Sequence, residues 1–144
     1  MREILFRGQT RRKGEKVTIG GTPVPSNWVY GGVAYTKPDT YSSIIYQAEP
    51  EIHKYPVYAD TVGQYIGITD KNGTKIFEGD IIRITDDDDV YIVEYNDEEA
   101  IFEATGQFNC ICYNFSSDLF RSDVEVIGNI YDNPELMEEK DETD

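Results

Sequence analysis

Four consecutive aspartates at residues 86–89 form the densest group of metal-ligating side chains in this sequence. Calcium and magnesium prefer such oxygen ligands. The EF-hand calcium loop, however, needs a glycine at its sixth position and a glutamate at its twelfth, and a loop beginning at Asp86 has neither. Adjacent side chains of an extended segment also point in alternating directions. We therefore predict a solvated hairpin tip that binds no metal ion.

The other metal-binding residue types are sparse. Cys110 and Cys112 are the only cysteines and His53 is the only histidine, so a zinc site would need carboxylates for its remaining ligands. Cysteines two positions apart on a strand point to the same face, which does not suit a disulfide between them. We predict two buried or half-buried thiols, and a histidine in a loop or at a rim without a catalytic partner.

Paired carboxylates could also act as acid and base in catalysis. Glu78 and Asp80 flank a glycine, but an ordinary polar turn has the same spacing. The sequence contains no glycine loop followed by lysine and serine or threonine, no nucleophile elbow and no histidine-containing triad. We predict no catalytic residues, no cofactor and no enzymatic activity.

The stretch that organises the chain is residues 61–84, TVGQYIGITDKNGTKIFEGDIIRI. Asp70-Lys71-Asn72-Gly73 separates two apolar segments, and the Asn-Gly pair tolerates the positive φ of a tight turn. We therefore predict a β-hairpin here. Five short apolar segments bounded by turn residues follow, and their spacing predicts strands of a small barrel or sandwich at residues 80–85, 90–95, 100–104, 108–115 and 124–131.

The first half of the chain has a similar pattern, which predicts short strands at residues 2–7, 17–19, 28–36 and 43–47. The glycine pair inside WVYGGVAYT predicts a bulge or a close backbone approach. A single turn of helix is predicted within residues 116–120, and a frayed helical turn after residue 134.

The formal net charge is −15, and it is unevenly distributed. Residues 1–16 contain six basic and two acidic side chains, so the rest of the chain carries −19. An acidic field repels phosphate backbones and suits a basic partner. The exception is Arg11-Arg12-Lys13, for which we hold two hypotheses, a solvated or internally ion-paired loop and a basic arm that contacts phosphates.

Four blocks of the sequence resemble the YopX-like proteins of phages and prophages of Gram-positive bacteria. They occur in the family's order and are REILFRG at 2–8, WVYGGV at 28–33, VGQYIGITDKNGTKIFEGDIIRI at 62–84 and EVIGNIYDNPEL at 125–136. The resemblance implies a mostly β fold with a C-terminal SH3-like barrel and no established activity or catalytic residues. Residues 36–56 depart most from the family pattern.

We therefore predict a mainly β fold, with a small N-terminal β layer packed on a C-terminal SH3-like β-barrel and very little helix. The predicted organisation is an N-terminal β subdomain at 1–60, a shared hairpin at 61–78, the barrel at 79–133 and an acidic tail at 134–144.

Aromatic residues are the candidate binding groups, because tyrosine and tryptophan combine apolar area with a polar tip. SH3-like barrels often bind ligands through an aromatic rim, which Phe102 and Phe115 could join, although some of these rings must fill the core. The predicted interaction surface comprises Trp28, Tyr30, Tyr91, Tyr95 and Tyr113.

The resemblance implies a phage accessory protein in the host cytoplasm, and the acidic surface, the missing active site and the abundance of tyrosine favour one that acts through protein–protein contacts. The expected partners are a second copy of the chain, a host protein or a phage protein. No apolar run approaches the roughly 20 residues of a membrane helix, so no membrane association is expected. The alternatives are a nucleic-acid-binding protein that uses Arg11, Arg12 and Lys13, and an unrecognised enzyme or small-ligand binder.

Overall fold

The computed structural model describes residues 2–12, 18–19, 22–23, 27–35, 43–47, 52–115 and 121–138. The chain divides into two compact units, residues 1–65 and residues 66–144. In the described residues the regular structure consists of strands and three short 3₁₀ turns. The prediction of a mainly β fold with very little helix is therefore confirmed.

The first unit is built on an antiparallel sheet. Its strands are β1 (Phe6–Gln9), β4 (Trp28–Tyr35), β5 (Ser43–Gln47), β6 (His53–Val57) and the beginning of β7 (Gly63–Thr69), in the order β6-β5-β4-β1-β7. A separate two-stranded ladder joins β2 (Thr18–Ile19) to β3 (Thr22–Pro23). The buried core of this unit is Val29, Ile45 and Val57, one residue from each of three strands.

Two local features of this sheet follow from the sequence. A register shift between Val33 and Tyr35 follows the Gly31-Gly32 pair, which agrees with the bulge expected there. Pro56 lies within the edge strand β6, opposite Ile44. Proline cannot donate a ladder hydrogen bond, so this edge is unsuited to further strand addition.

The second unit contains the rest of β7, then β8 (Lys75–Phe77) and a five-stranded antiparallel sheet. The sheet consists of β9 (Asp80–Ile84), β10 (Val90–Asn96), β11 (Ile101–Gly106), β12 (Cys112–Asn114) and β13 (Val124–Asn129), in the order β12-β11-β10-β9-β13. Four strands form a meander and the last returns beside the first. In the described part of the chain this ladder does not close into a hydrogen-bonded barrel.

The core of the second unit lies on one face of this sheet. Ile82, Tyr91, Val93 and Ala104 are fully or almost fully buried there, together with Ile76 of β8. Val93 lies directly opposite Ala104 in the β10–β11 register. Because opposite residues of an antiparallel pair share a face, alternate positions of each strand supply the core.

The strand predicted for residues 108–115 is shorter than expected. Residues 107–109 form a turn, and only Cys112–Asn114 pair with β11. Cys110 has φ of +60°, and the Asn109 side chain accepts a hydrogen bond from the Ile111 N–H at 2.9 Å. This turn interrupts the extended strand that the alternation of apolar residues predicts for residues 108–115. The helical turn predicted within residues 116–120 lies outside the described residues, whereas 3₁₀ turns occupy Arg121–Asp123 and Pro134–Met137.

Candidate interaction surface

An apolar cleft opens on the second unit beside β7 and β11. It has a volume of about 190 Å³. The lining residues are Ile66, Ile68, Ile101, Phe102, Asn114 and Phe115. Ile66 and Ile68 are two positions apart on β7, so both side chains project from the same face of that strand.

The cleft lies where the core face of the sheet reaches the surface. Tyr91, Val93 and Tyr95 occupy alternate positions of β10 and therefore share one face. Their exposed fractions are 0%, 1% and 43%, so burial ends at Tyr95. Tyr95 lies opposite Phe102, and the two rings pack edge to face with centroids 5.1 Å apart. The aromatic pair therefore lies on the core face of β10 and β11, at the point where that face becomes exposed.

The acidic turn that joins β10 to β11 leads directly into Ile101, which lines the cleft. Asn96 accepts hydrogen bonds from the backbone N–H groups of Glu98 and Glu99, at 3.0 and 3.2 Å. Ala100 closes the turn with φ of +56°, and Ile101 of the cleft follows it directly. Asp97, Glu98 and Glu99 are all exposed. The turn thus presents three carboxylates beside an apolar surface.

The four-aspartate loop is a separate acidic feature. Asp86–Asp89, together with Phe108 and Asn109, line an open cavity of about 360 Å³. Asp89 is buried, and one of its oxygens accepts the backbone N–H groups of Phe108 and Asn109 at 3.0 Å each. Its other oxygen accepts the N–H of Val90 at 2.8 Å. Asp89 therefore joins this loop to the turn after β11.

A second connection between the same loops uses Tyr91. Its hydroxyl donates to Asp87 at 2.6 Å and accepts from the Asn109 amide at 2.8 Å. Burial of the ring and the hydrogen bond to Asp87 raise the pKa of Tyr91. The described residues contain no group of three or more histidine, cysteine, aspartate or glutamate side chains placed to hold a metal ion. Asp87 and Asp89 instead accept hydrogen bonds from backbone N–H groups and from the Tyr91 hydroxyl.

The predicted aromatic residues have different environments. Tyr30 and Tyr95 are 42% and 43% exposed, and Trp28 is half-buried, with the Arg7 guanidinium 4.6 Å from its ring centre. Tyr91 is fully buried, so the prediction that it belongs to the interaction surface is wrong. Its position on β10 directs it to the core face, where Tyr113 packs against it at 5.5 Å between ring centres. Tyr113 is half-buried.

The basic N-terminal residues make contacts within the first unit. One guanidinium nitrogen of Arg12 donates to both carboxylate oxygens of Asp60, at 2.9 and 3.0 Å, and the guanidinium lies 4.0 Å from the ring centre of Tyr58. Arg11 is half-buried, and Lys13 lies outside the described residues. Arg12 therefore has an internal carboxylate where a phosphate-binding arm would present a solvent-directed charge.

The cysteines differ from the prediction. Cys110 and Cys112 are both exposed free thiols, because the turn after β11 turns this segment outward. Partial burial of the sulfur and the nearby Glu103 carboxylate raise the pKa of Cys112, which keeps this thiol protonated at neutral pH. His53 is exposed on β6, and its ring stacks on Tyr55 with centroids 6.1 Å apart.

No motif or spacing in the sequence points to a site at Ile66, Ile68, Ile101 and Asn114. The sequence shows the apolar alternation of β7, but alternation does not indicate which strand lies across the cleft from Ile66 and Ile68. Phe102 and Phe115 were named as rim aromatics, and both line the cleft. For the carboxylates of residues 97–99 the sequence pattern predicts only a hydrated loop.

No helix in the described residues has the length and apolar character needed to cross a membrane. A search of curated protein sequences found no match. The family model for YopX protein matches residues 27–138. The matched range contains all the strands from β4 to β13. This match covers most of the chain, and it agrees with the resemblance of the four sequence blocks. The chain therefore belongs to the YopX family.

Proposed function

We propose that this protein is a non-enzymatic, phage- or prophage-encoded accessory protein that acts in the host cytoplasm by binding another protein. The observation that carries the proposal is the apolar cleft lined by Phe102, on which the exposed Tyr95 ring packs. The exposed turn residues Asp97, Glu98 and Glu99, which lead into Ile101 of the cleft, are called the acidic rim. Protein interfaces combine an apolar, often aromatic centre with a polar rim. Membership of the YopX family supports the phage-related origin.

The surroundings of the polar groups also support a binding role. The cleft at β7 and β11 is lined by five apolar side chains and one asparagine. In the aspartate loop, Asp87 and Asp89 accept hydrogen bonds that hold the loops together. Carboxylates used in this way are structural. The nucleic-acid alternative has weaker support, because Arg12 is paired with Asp60 and the net charge is strongly negative.

A tagged pull-down from a Gram-positive host lysate tests this function. Three forms should be compared: the unmodified protein, Tyr95→Ala beside the cleft, and Ile52→Ala as a control at an exposed apolar residue of the first unit. We expect a stoichiometric protein to co-purify with the unmodified and Ile52→Ala forms and to be lost from Tyr95→Ala.

Co-purifying nucleic acid should be quantified in the same eluates, and light scattering should give the mass of the purified protein. Equal retention by the Tyr95→Ala form would show that the cleft is not the binding surface. Recovery of nucleic acid in a salt-dependent manner would favour the basic-arm alternative. A defined homo-oligomer that retains no other protein would make a second copy of the chain the partner.

A further inference from the structure

We propose that the apolar cleft is a slot for one bulky apolar side chain, carried by an extended segment of a partner protein in which lysine or arginine flanks that side chain. This inference rests on the proposed function and specifies the chemistry of the partner. It draws on the size of the cleft, the environment of its floor and the charge of the strands around it.

The size of the cleft suits a single side chain. An apolar protein cavity of about 150 Å³ accommodates one benzene molecule. The cleft measures about 190 Å³, which is enough for one leucine or phenylalanine side chain and too small for a cluster of them. A partner would therefore insert one anchor residue, as is common where a few residues dominate binding.

The floor of the cleft is continuous with the hydrophobic core. Ile66, Ile68 and Phe115 pack against the buried cluster that contains Ile76 and Val93. The inner wall is therefore held in place by core packing, which reduces the ordering needed on binding. Phe102 lines the cleft, and the exposed Tyr95 ring packs against it and adds an aromatic surface beside the cleft. An anchor side chain would exclude water from this surface and extend the core outward.

The strands β10, β11 and β12 and the turns between them carry acidic side chains and no basic ones. Residues 84–120, which include β10, β11 and β12, contain ten acidic side chains and no lysine, arginine or histidine. Asp97, Glu98 and Glu99 are exposed at the turn that leads into Ile101. This field attracts cationic side chains on either side of an apolar anchor and repels nucleic acid and anionic lipid surfaces. Charge complementarity therefore selects a basic protein segment.

A second copy of this chain is a poorer occupant. Its most basic region is residues 1–16, where Arg7 is buried in the first unit and Arg12 is paired with Asp60. Phe6, the apolar residue next to Arg7, packs against the core of the first unit. The described part of this segment, residues 2–12, is thus already engaged within the first unit.

Peptide binding to the full-length protein tests the proposal. The probe is a fluorescein-labelled nonapeptide with a central leucine flanked by lysines. Two matched peptides replace the leucine with glycine or the lysines with glutamates. Fluorescence anisotropy should show the leucine peptide binding about tenfold more tightly than the glycine peptide, because only the former buries an anchor side chain. The glutamate peptide should not bind.

The rim is tested with a variant in which Asp97→Asn, Glu98→Gln and Glu99→Gln are combined, all at exposed positions. We expect this variant to bind the leucine peptide about threefold or more weakly, with a smaller salt dependence. A variant with Asp86→Asn and Asp88→Asn is the matched control at the other acidic loop and should retain its affinity. Loss of affinity in the control alone would place the site at the aspartate loop and overturn the proposal.

The slot is tested in the unmodified protein, so that folding of a variant is not at issue. Isoleucine methyl groups can be labelled and followed by NMR during titration with the leucine peptide. Shifts should be confined to Ile66, Ile68 and Ile101, whereas the exposed control residues Ile4 and Ile52 should not move. Equal binding of leucine and glycine peptides, or shifts elsewhere, would contradict the slot.

Failure of this inference can be distinguished from failure of the proposed binding function. If the peptides do not bind but the pull-down retains a protein that Tyr95→Ala loses, the binding function stands and the anchor chemistry is wrong. Methyl shifts at the cleft that depend on protein concentration without peptide would identify a second copy as the occupant and overturn the proposed partner.

Discussion

Asp70 is the residue on which the hairpin of the second unit depends. Its side chain is almost fully buried, and it accepts hydrogen bonds from the backbone N–H groups of Asn72, Thr74 and Val126 at 2.8–2.9 Å. The first two bonds lie within the turn, and the third extends to the edge strand β13. Lys71 adds a backbone hydrogen bond to Val124 and an ion pair with Glu125. One carboxylate thus shapes the turn and caps an edge of the sheet.

Replacing Asp70 with asparagine should lower the free energy of unfolding by about 2 kcal/mol. The amide group retains the shape but loses the charge, and its NH₂ cannot accept the Val126 N–H. Urea denaturation at neutral pH measures the change. Asp97→Asn, at an exposed turn, is the control and should change stability by less than about 0.5 kcal/mol. Equal stability of the two variants would show that the Asp70 network contributes little.

The stability conferred by Asp70 should depend on pH. Burial of the carboxyl opposes ionisation, but the hydrogen bonds from Val126, Thr74 and Asn72 and the nearby Lys71 outweigh it, so the pKa of Asp70 is lowered in the folded protein. A lowered folded-state pKa stabilises the protein above the unfolded-state pKa of about 3.9, and this contribution is lost as the pH falls through the folded value. The stability gap between the unmodified protein and Asp70→Asn should therefore narrow on acidification towards about pH 3. A gap that stays constant would contradict the assigned pKa shift.

At the scale of elements, two turns hold the strands of the second unit in register. In the hairpin turn, the Gly73 N–H donates to the Asp70 carbonyl at 3.1 Å, and Gly73 has φ of +82°. In the β8–β9 turn, Asp80 accepts the Phe77 N–H at 2.8 Å, and Gly79 has φ of +87°. The backbone of Gly79 also donates to Val93 and accepts from Ile130. Asp80 therefore acts as a turn residue.

Replacing each of these two glycines with valine should lower the free energy of unfolding by different amounts. A Cβ on Gly73 would meet no atom within 4 Å, so Gly73→Val costs only backbone strain, about 1 kcal/mol or more. A Cβ on Gly79 would lie 2.9 Å from a ring carbon of Tyr131, so Gly79→Val should cost more. Thermal and urea unfolding measure both changes.

Two controls separate strain from crowding. Gly32→Val has open space and no positive φ, and it should be close to neutral. In a Tyr131→Ala background the additional cost of Gly79→Val should shrink towards that of Gly73→Val. If the cost at Gly79 is unchanged in that background, its cause is not the contact with Tyr131.

At the scale of the whole molecule, charge is the dominant property. A formal charge of −15 on 144 residues disfavours the compact state through self-repulsion. The repulsion is concentrated in residues 84–120, which have no basic side chain. The same negative field that would attract a basic partner therefore lowers the free energy of unfolding of the unbound protein.

Raising NaCl from about 0.01 M to about 0.15 M shortens the screening length from roughly 30 Å to roughly 8 Å. We expect this change to increase the free energy of unfolding by about 1 kcal/mol and the melting temperature by about 4 °C. The rise should be smaller for the variant that combines Asp97→Asn, Glu98→Gln and Glu99→Gln. A melting temperature that falls with added NaCl would mean that attractive ion pairs outweigh the repulsion.

Much of the fold could be predicted wherever local chemistry decides the conformation. The Asn-Gly turn is present, with positive φ at Gly73, and the strand predicted at residues 43–47 has the same bounds. The strand predicted at 28–36 is observed as Trp28–Tyr35. The exception at residues 108–115 arose because Asn109 and Cys110 form a turn that apolar periodicity does not report.

The sequence by itself determined the mainly β fold, the hairpin and the acidic charge, since these follow from turn chemistry, alternation and composition within short windows. It also supplied the blocks that resemble the YopX family. Only the tertiary structure decided that Tyr91 is buried while Tyr95 is exposed, and that Ile66 and Ile68 line one cleft with Phe102 and Phe115. The physical reason is that two residues on one strand share a face by local geometry, but their burial depends on which distant strands cover that face.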